Sequence, residues 1–178
     1  MIKDYNEDDE IYKPKYDSIL TDVIIMKWTE LEDPFEWIES DQKLFTTFEK
    51  SFNANKKLTD IKLYRGTDYI EYLDLLKGDK INFDRYSSWT TDPTICHKFT
   101  DPDSPPIYFV YDGVLDTFDL KTRDEKEHIV SPSNFIVKDV INISRSSDES
   151  YDLINGLSGK SRSGDGKIFI LNQILLYL

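Results

Sequence analysis

Along the first third of the chain, apolar residues recur at the three-to-four spacing of a helix. Beyond it they alternate with polar residues or run together as in strands. Ile19, Leu20, Val23, Ile24 and Trp28 predict a helix from Tyr16 to about Glu32. Asp33-Pro34 ends that stretch, and Pro34 suits the first turn of a second helix. The second helix carries Phe35, Trp37, Ile38, Leu44, Phe45, Phe48 and Phe52, with a break indicated near Ser40-Asp41. Asn53 to Lys57 reads as a loop, and the acidic residues 1–12 read as a frayed end.

The pattern changes after Leu58. Ile61 and Leu63 alternate toward Arg65 in IKLYRG (61–66), a strand that Gly66 ends. TDYIEYLDLLKGD (67–79) reads as a short helix closed at Lys77-Gly78. KINFDRYSSWTT (80–91) reads as a strand, and Asp92-Pro93 opens one or two helical turns over DPTICHKF (92–99). IYFVYDGV (107–114), EHIV (127–130), NFIVKDVINIS (134–144) and KIFILNQILLYL (167–178) are expected strands, rich in β-branched and aromatic residues. The polar Ser- and Gly-rich stretch 144–166 is expected as a mobile connection. The fold class is therefore α+β, a helical segment 1–57 before a β core 58–178 in one domain.

Charge narrows the function classes. The chain has 178 residues, with Lys+Arg 22 against Asp+Glu 34 and a net charge of −12. A field of that sign argues against holding nucleic acid or an anionic membrane over a broad surface. With 39% hydrophobic and 13% aromatic residues, the chain can build a packed core and is not an acidic disordered segment. The single cysteine, Cys96, excludes an internal disulfide and a cysteine-based zinc site, and it fits a reducing compartment. The opening MIKDYNEDDEIYKPK lacks the apolar stretch of a secretory signal, and no apolar run approaches the ~20 residues that span a bilayer. The expectation is a soluble, cytoplasmic monomer.

Three features can carry chemistry. Arg65 sits within a strand, where a guanidinium needs a partner. It is either an exposed strand residue or a fork for phosphate or carboxylate, and Gly66 beside it admits a close ligand. Ser88 and Thr90, two apart in RYSSWTTDP, project from one strand face while Trp89 points to the other. They are either edge-strand hydroxyls before a helix cap or groups that orient a carboxylate or a sugar. Glu125 and Glu127 share a face if TRDEKEHIV is extended, about 7 Å apart along the strand. They are either part of a charged loop or a repelling pair that favours a cation between them.

Two other patterns carry nothing. GLSGKS resembles a phosphate-binding loop, yet Ile154 stands where that motif requires glycine. His97 and His128 lack metal-ligand spacing, and Cys96-His97 point apart on a helix, so neither a metal site nor a Cys–His nucleophile is expected.

In order, LYRG, SSWTTDPTICHKF and EKEHIVSPSNFIV resemble the Arg…Ser-x-Ser/Thr…Glu-x-Glu signature of the mono-ADP-ribosyltransferases. The similar branch is that of clostridial binary toxins, vertebrate ecto-enzymes and T-even phage host-modifying transferases. The similarity covers roughly residues 60–140 and the closing strand. Phe99, eleven residues past Ser88, and the turn-plus-strand SPSNFIV after the second Glu also match.

The resemblance implies a split, mixed β-sandwich with NAD, the substrate, held in a cleft between its sheets. Arg65 would clamp NAD phosphate or ribose oxygens, and Gly66 would offer backbone contacts to nicotinamide. Ser88 would hold Glu127 in place, Thr90 would support the ribose side, and Phe99 would stack on the nicotinamide ring. Glu127 would be the catalytic carboxylate and Glu125 the residue that engages an arginine acceptor. Some toxin members carry a second Arg where this sequence has Pro102, so Arg85 or Lys98 would have to serve the pyrophosphate. No metal is implied. The implied partner is a host protein with an accessible arginine, basic to match the acidic chain, and the implied source is a phage or bacterial effector. An NAD glycohydrolase and an inactive acidic binding module with the same fold are the other readings.

Overall fold

A computed structural model of the chain describes residues 40, 42–100, 104–120, 126–143 and 166–174, with His97 and Lys98 by backbone alone. The expected helix from Tyr16 to Glu32, Glu125, Pro102 and nearly all of the 144–166 connection lie outside the described residues. The chain divides between Lys56 and Lys57 into two compact units.

The first unit contains α1 (Gln42–Asn55). Phe48 and Phe52 lie one turn apart, both 1% exposed, with ring centroids 6.5 Å apart. The helix continues through Asn53, where a loop was expected. The Asn55 amide donates to the Ser51 carbonyl at 2.8 Å, and Lys56 N–H donates to the Phe52 carbonyl at 2.7 Å, so the last carbonyls keep partners.

The second unit is built on β1 (Lys57–Thr67), β2 (Lys80–Phe83), β3 (Ser87–Thr90), β4 (Ile107–Asp119), β5 (Glu127–Val130), β6 (Ser133–Ile143) and β7 (Gly166–Gln173). They form one sheet in the order β1-β3-β5-β4-β7-β6-β2, and β1 also pairs with β4. That extra pairing is antiparallel along the whole of β1 and closes β1, β3, β5 and β4 into a ring. The expected two-sheet sandwich is thus one hydrogen-bonded sheet turned back on itself. The reason is the length of β4, which runs five residues past the expected end. Its first part pairs in parallel with β7 through Ile107–Tyr111, and its last part pairs with β5 through Thr117–Asp119.

Both faces of the central strands are covered. Leu63, Phe109, Phe135 and Phe169 belong to one core, while Tyr64, Tyr108, Val110, Ile143 and Ile168 belong to a second that includes Cys96. Successive residues of IYFVY therefore point into different cores, which is why the segment is a continuous apolar run rather than an alternating one.

The connections differ from the sequence reading. The helix expected over 67–79 is a single 3₁₀ helix, η1 (Ile70–Asp74). Tyr72, Leu73 and Leu75 pack against the first core, with Tyr72 edge-on to Phe109 at 5.1 Å. Gly78, at φ 97°, makes the turn back into β2. The strand expected over 80–91 is two strands, because Asp84–Tyr86 leave the extended path: β2 pairs with β6, and β3 pairs with β1 and β5. Phe83 and Trp89 still meet across that break, with centroids 5.6 Å apart. DPTICHKF forms a second 3₁₀ helix, η2 (Pro93–Phe99), opened by Asp92 accepting the Thr94 N–H at 3.0 Å. Among the described residues, no helix is long and apolar enough to cross a membrane.

Candidate active site

Strand register sets the site. β3 and β5 pair antiparallel with Thr90 opposite Glu127 and Ser88 opposite Ile129, so the Ser88, Thr90 and Glu127 side chains share one face. Trp89 faces the other way into the first core, 2% exposed, with its indole N–H donating to the Ser87 hydroxyl at 2.9 Å. That large buried ring locks the alternation of β3. The Ser88 hydroxyl donates to Oε1 of Glu127. Glu127 is only 5% exposed, and burying a carboxylate is unfavourable unless donors replace its water.

Arg65 reaches the same place from β1. β1 and β3 pair at Tyr64 and Thr90, and the next residue along, Arg65, donates Nη1–H to the Ser88 carbonyl at 2.6 Å. Among the described residues this is its hydrogen bond, and it occupies one of the several N–H groups of the fork. Burial lowers the Arg65 pKa from its ordinary value, while Tyr72, Tyr69 and Glu127 act to raise it. The group stays charged. Arg65, Ser88 and Glu127, 23 and 39 residues apart in succession, are therefore brought together.

The remaining expected residues are placed as follows. Thr90 is 2% exposed, and its Oγ1 accepts the Asp92 N–H at 3.0 Å, so its hydroxyl serves the turn from β3 into η2. Gly66 has a packing reason to be glycine. A Cβ there would collide with the Cys96 backbone carbonyl and stand 3.2 Å from Thr100 Cγ2, so only glycine lets η2 lie this close to β1. Phe99 ends η2 with 41% of its surface exposed, a ring open to a planar partner. Arg85 is exposed between β2 and β3, and nothing describes the Lys98 side chain. Lys126, directly before Glu127, has a left-handed backbone with φ 46°.

Sequence reasoning missed Tyr69 and Tyr72. Both act electrostatically on Arg65, and their rings meet edge-on at 6.3 Å. The available signal was Tyr69-x-x-Tyr72 just after Gly66, a spacing that places both rings on one side of a 3₁₀ turn. Cys96 is fully buried and its thiol is pushed up to about 12, first by burial, so it is no nucleophile near neutral pH. Among the described residues, no three His, Cys, Asp or Glu stand close enough to hold a metal ion.

No protein-family model matches the sequence, and no curated protein matches it. Solved structures do. The Vis toxin, an ADP-ribosyltransferase from Vibrio splendidus, aligns with a TM-score of 0.51 and 13% identity over 98% of this chain and 89% of its own. Plx2a, an ADP-ribosyltransferase toxin from Paenibacillus larvae, aligns with a TM-score of 0.53 and 12% identity over 91% and 90%. The enzymatic component C2-I of the C2 toxin from Clostridium botulinum aligns with a TM-score of 0.56 and 14% identity over 94% of this chain and 48% of its own. Over most of its length the chain therefore shares the ADP-ribosyltransferase fold of these toxins.

Proposed function

We propose that the chain is a mono-ADP-ribosyltransferase that moves ADP-ribose from NAD to arginine side chains of a protein acceptor. The observation that carries this reading is the Ser88 hydroxyl donating into the buried Glu127 carboxylate beside a half-buried Arg65. Nicotinamide in NAD is already cationic, so its bond to ribose breaks without an acid and the electron pair leaves with the ring. Positive charge is left on C1′ and O4′, as in glycoside hydrolysis. The demand on the protein is then electrostatic, a fixed anion beside that charge and an acceptor for the ribose 2′-hydroxyl. Glu127 supplies both in this reading, and Ser88 keeps its carboxylate aimed. Arg65 takes the negative charge of the dinucleotide with its unused N–H groups, and Phe99 offers a face to nicotinamide.

The acceptor guanidinium is protonated and a poor nucleophile. Glu125 aligns it and takes its proton as the new C1′–N bond forms, so the charge lost by ribose and the proton lost by arginine both find a place. Vis has been solved in complex with agmatine, which carries the same guanidinium group, and this supports an arginine-type acceptor. The net charge of −12 favours a basic host protein, as expected of an effector.

The test incubates labelled NAD with host lysate and compares the wild-type chain with Glu127→Ala. The expected result is a labelled protein band with wild type that is lost in the variant. A band that persists in Glu127→Ala removes Glu127 from this role. Nicotinamide release without any labelled protein would indicate a glycohydrolase, and no heat on titrating NAD at millimolar concentration would indicate an inactive module.

A further inference from the structure

Among the described residues, Lys126 is the non-glycine residue with a left-handed backbone, φ 46°. That region is uphill for lysine because its Cβ crowds the neighbouring carbonyl, so the surroundings must hold it there. They do so at two points. The Lys126 carbonyl accepts the Thr91 N–H at 3.3 Å, and its ammonium meets Oδ2 of Asp92 at 3.0 Å. Asp92 is itself fixed. Its Oδ1 accepts the Thr94 N–H at 3.0 Å and the Thr94 hydroxyl at 2.6 Å, and its own N–H donates to Thr90 Oγ1 at 3.0 Å. The Thr94 hydroxyl and Lys126 together hold the Asp92 carboxyl below the usual carboxylate range. The residue that follows Lys126 is Glu127, whose carbonyl accepts the Leu120 N–H at 3.0 Å.

We propose that Lys126 and Asp92 are positioning residues: their ion pair holds the chain left-handed at the entrance of β5 and so sets the direction in which the Glu127 carboxylate meets Ser88. The function this serves rests on the transferase reading above. β5 is paired with β3 from Glu127 onward but with β4 only from His128 onward, so Glu127 is where the hold of the sheet passes to the chain that Lys126 directs. Lys126 is exposed at 59% and Asp92 half-buried at 23%, and a pair so open to solvent adds little to global stability. Its effect is local. The same link joins the chain before Glu127 to the start of η2, the element that ends at Phe99.

The experiment compares Lys126→Met, Lys126→Arg, Lys126→Gly and Asp92→Asn with the wild-type chain. The readouts are nicotinamide release from NAD, thermal melting, and amide exchange of Thr91 and Leu120. Lys126→Met keeps the backbone strain and loses the ammonium, so kcat is expected to fall about tenfold while KM for NAD changes less than about twofold. Faster exchange at Thr91 and Leu120 should accompany that fall, with Tm within about 2 °C of wild type. Lys126→Arg should keep the activity. Lys126→Gly should recover most of it, because glycine takes the left-handed conformation without help. Asp92→Asn should match Lys126→Met, and the double variant should be no worse than either.

A Lys126→Gly variant as slow as Lys126→Met would overturn the proposal, since the ammonium would then act directly rather than through the backbone. Additive losses in the double variant would overturn it as well. Unchanged amide exchange in Lys126→Met would overturn it whatever the activity does. If the wild-type chain released no nicotinamide, the transferase reading would fall, and the exchange data would still decide whether the pair holds the backbone.

Discussion

Gly66→Ala tests whether the close seating of η2 on β1 is what the glycine is for. An alanine Cβ at this position falls on the Cys96 backbone carbonyl, well inside the 3.0 Å that real Cβ contacts essentially never breach. The obstacle is backbone, so no rotamer change relieves it. η2 has to retreat on the order of 1 Å to regain van der Waals separation. The retreat loosens Cys96, which is fully buried with Tyr64, Tyr108, Val110, Ile143 and Ile168. Overpacking of this kind costs about 1–3 kcal/mol, while alanine returns only about 0.4–1 kcal/mol by restricting the unfolded chain.

The net loss of about 1–2 kcal/mol corresponds to a fall in Tm of roughly 2–8 °C for a chain of this size. Differential scanning calorimetry with a parallel urea titration measures it. Gly78→Ala is the comparison. Gly78 has φ 97° and nothing within 4 Å, so alanine there meets conformational strain without a collision. Cys96→Ala should not rescue Gly66→Ala, because the clash is with the carbonyl and not the thiol. A Gly66→Ala protein that melts within a degree of wild type, or above it, refutes this account of η2.

Two further outcomes follow from the site and its surroundings. Ser88→Ala removes a hydrogen bond to a charged acceptor, worth about 1.5–3 kcal/mol, so NAD turnover should fall about 10- to 150-fold. Initial-rate kinetics check this, and a Ser88→Ala variant with wild-type kcat would remove the hydroxyl from its role. Burial pushes the folded Cys96 thiol up from the ordinary 9.0 to about 12, so its contribution to stability is complete below pH 9 and is lost progressively as pH rises toward 12. Chemical unfolding at pH 8 and pH 10 should show the wild type losing stability and Cys96→Ala losing less; equal losses would show that the thiol is not the titrating group.

Period-two patterns were legible wherever one strand face stays constant. The opposed faces of Trp89 and of Ser88 with Thr90 follow from adjacency alone, and EHIV at 127–130 coincides with β5. Arg65, Ser88 and Glu127 were grouped from their order in the sequence, and they lie together. What escaped is nonlocal. The reason for Gly66 lies 30 residues away, in the carbonyl of Cys96. β1 pairs with β4 across the whole of β2 and β3, and no local pattern announces that closure. The apolar residues of 67–79 suggested a helix, yet the sheet takes Tyr72, Leu73 and Leu75 from one 3₁₀ turn and leaves Ile70 and Leu76 60% and 65% exposed. Lysine carries no left-handed signature, so Lys126 was unreadable from sequence.

On the transferase reading, the closed ring of strands explains how Arg65 and Glu127 can face a ligand with Ser88 set between them. The described hydrogen bond of Arg65 goes to a neutral backbone carbonyl, that of Ser88, and the Ser88 hydroxyl goes to Glu127. A direct ion pair would bring cation and anion together and leave less of either field for a substrate. Here one serine stands between them, its carbonyl turned to the guanidinium and its hydroxyl to the carboxylate. Neither charged group can readily slide toward the other, because β1 is fixed along its length by β4, and β3 by Trp89 in the core. Side chains held in this way lose little further freedom when a ligand arrives, and preorganisation of that kind is what electrostatic catalysis requires.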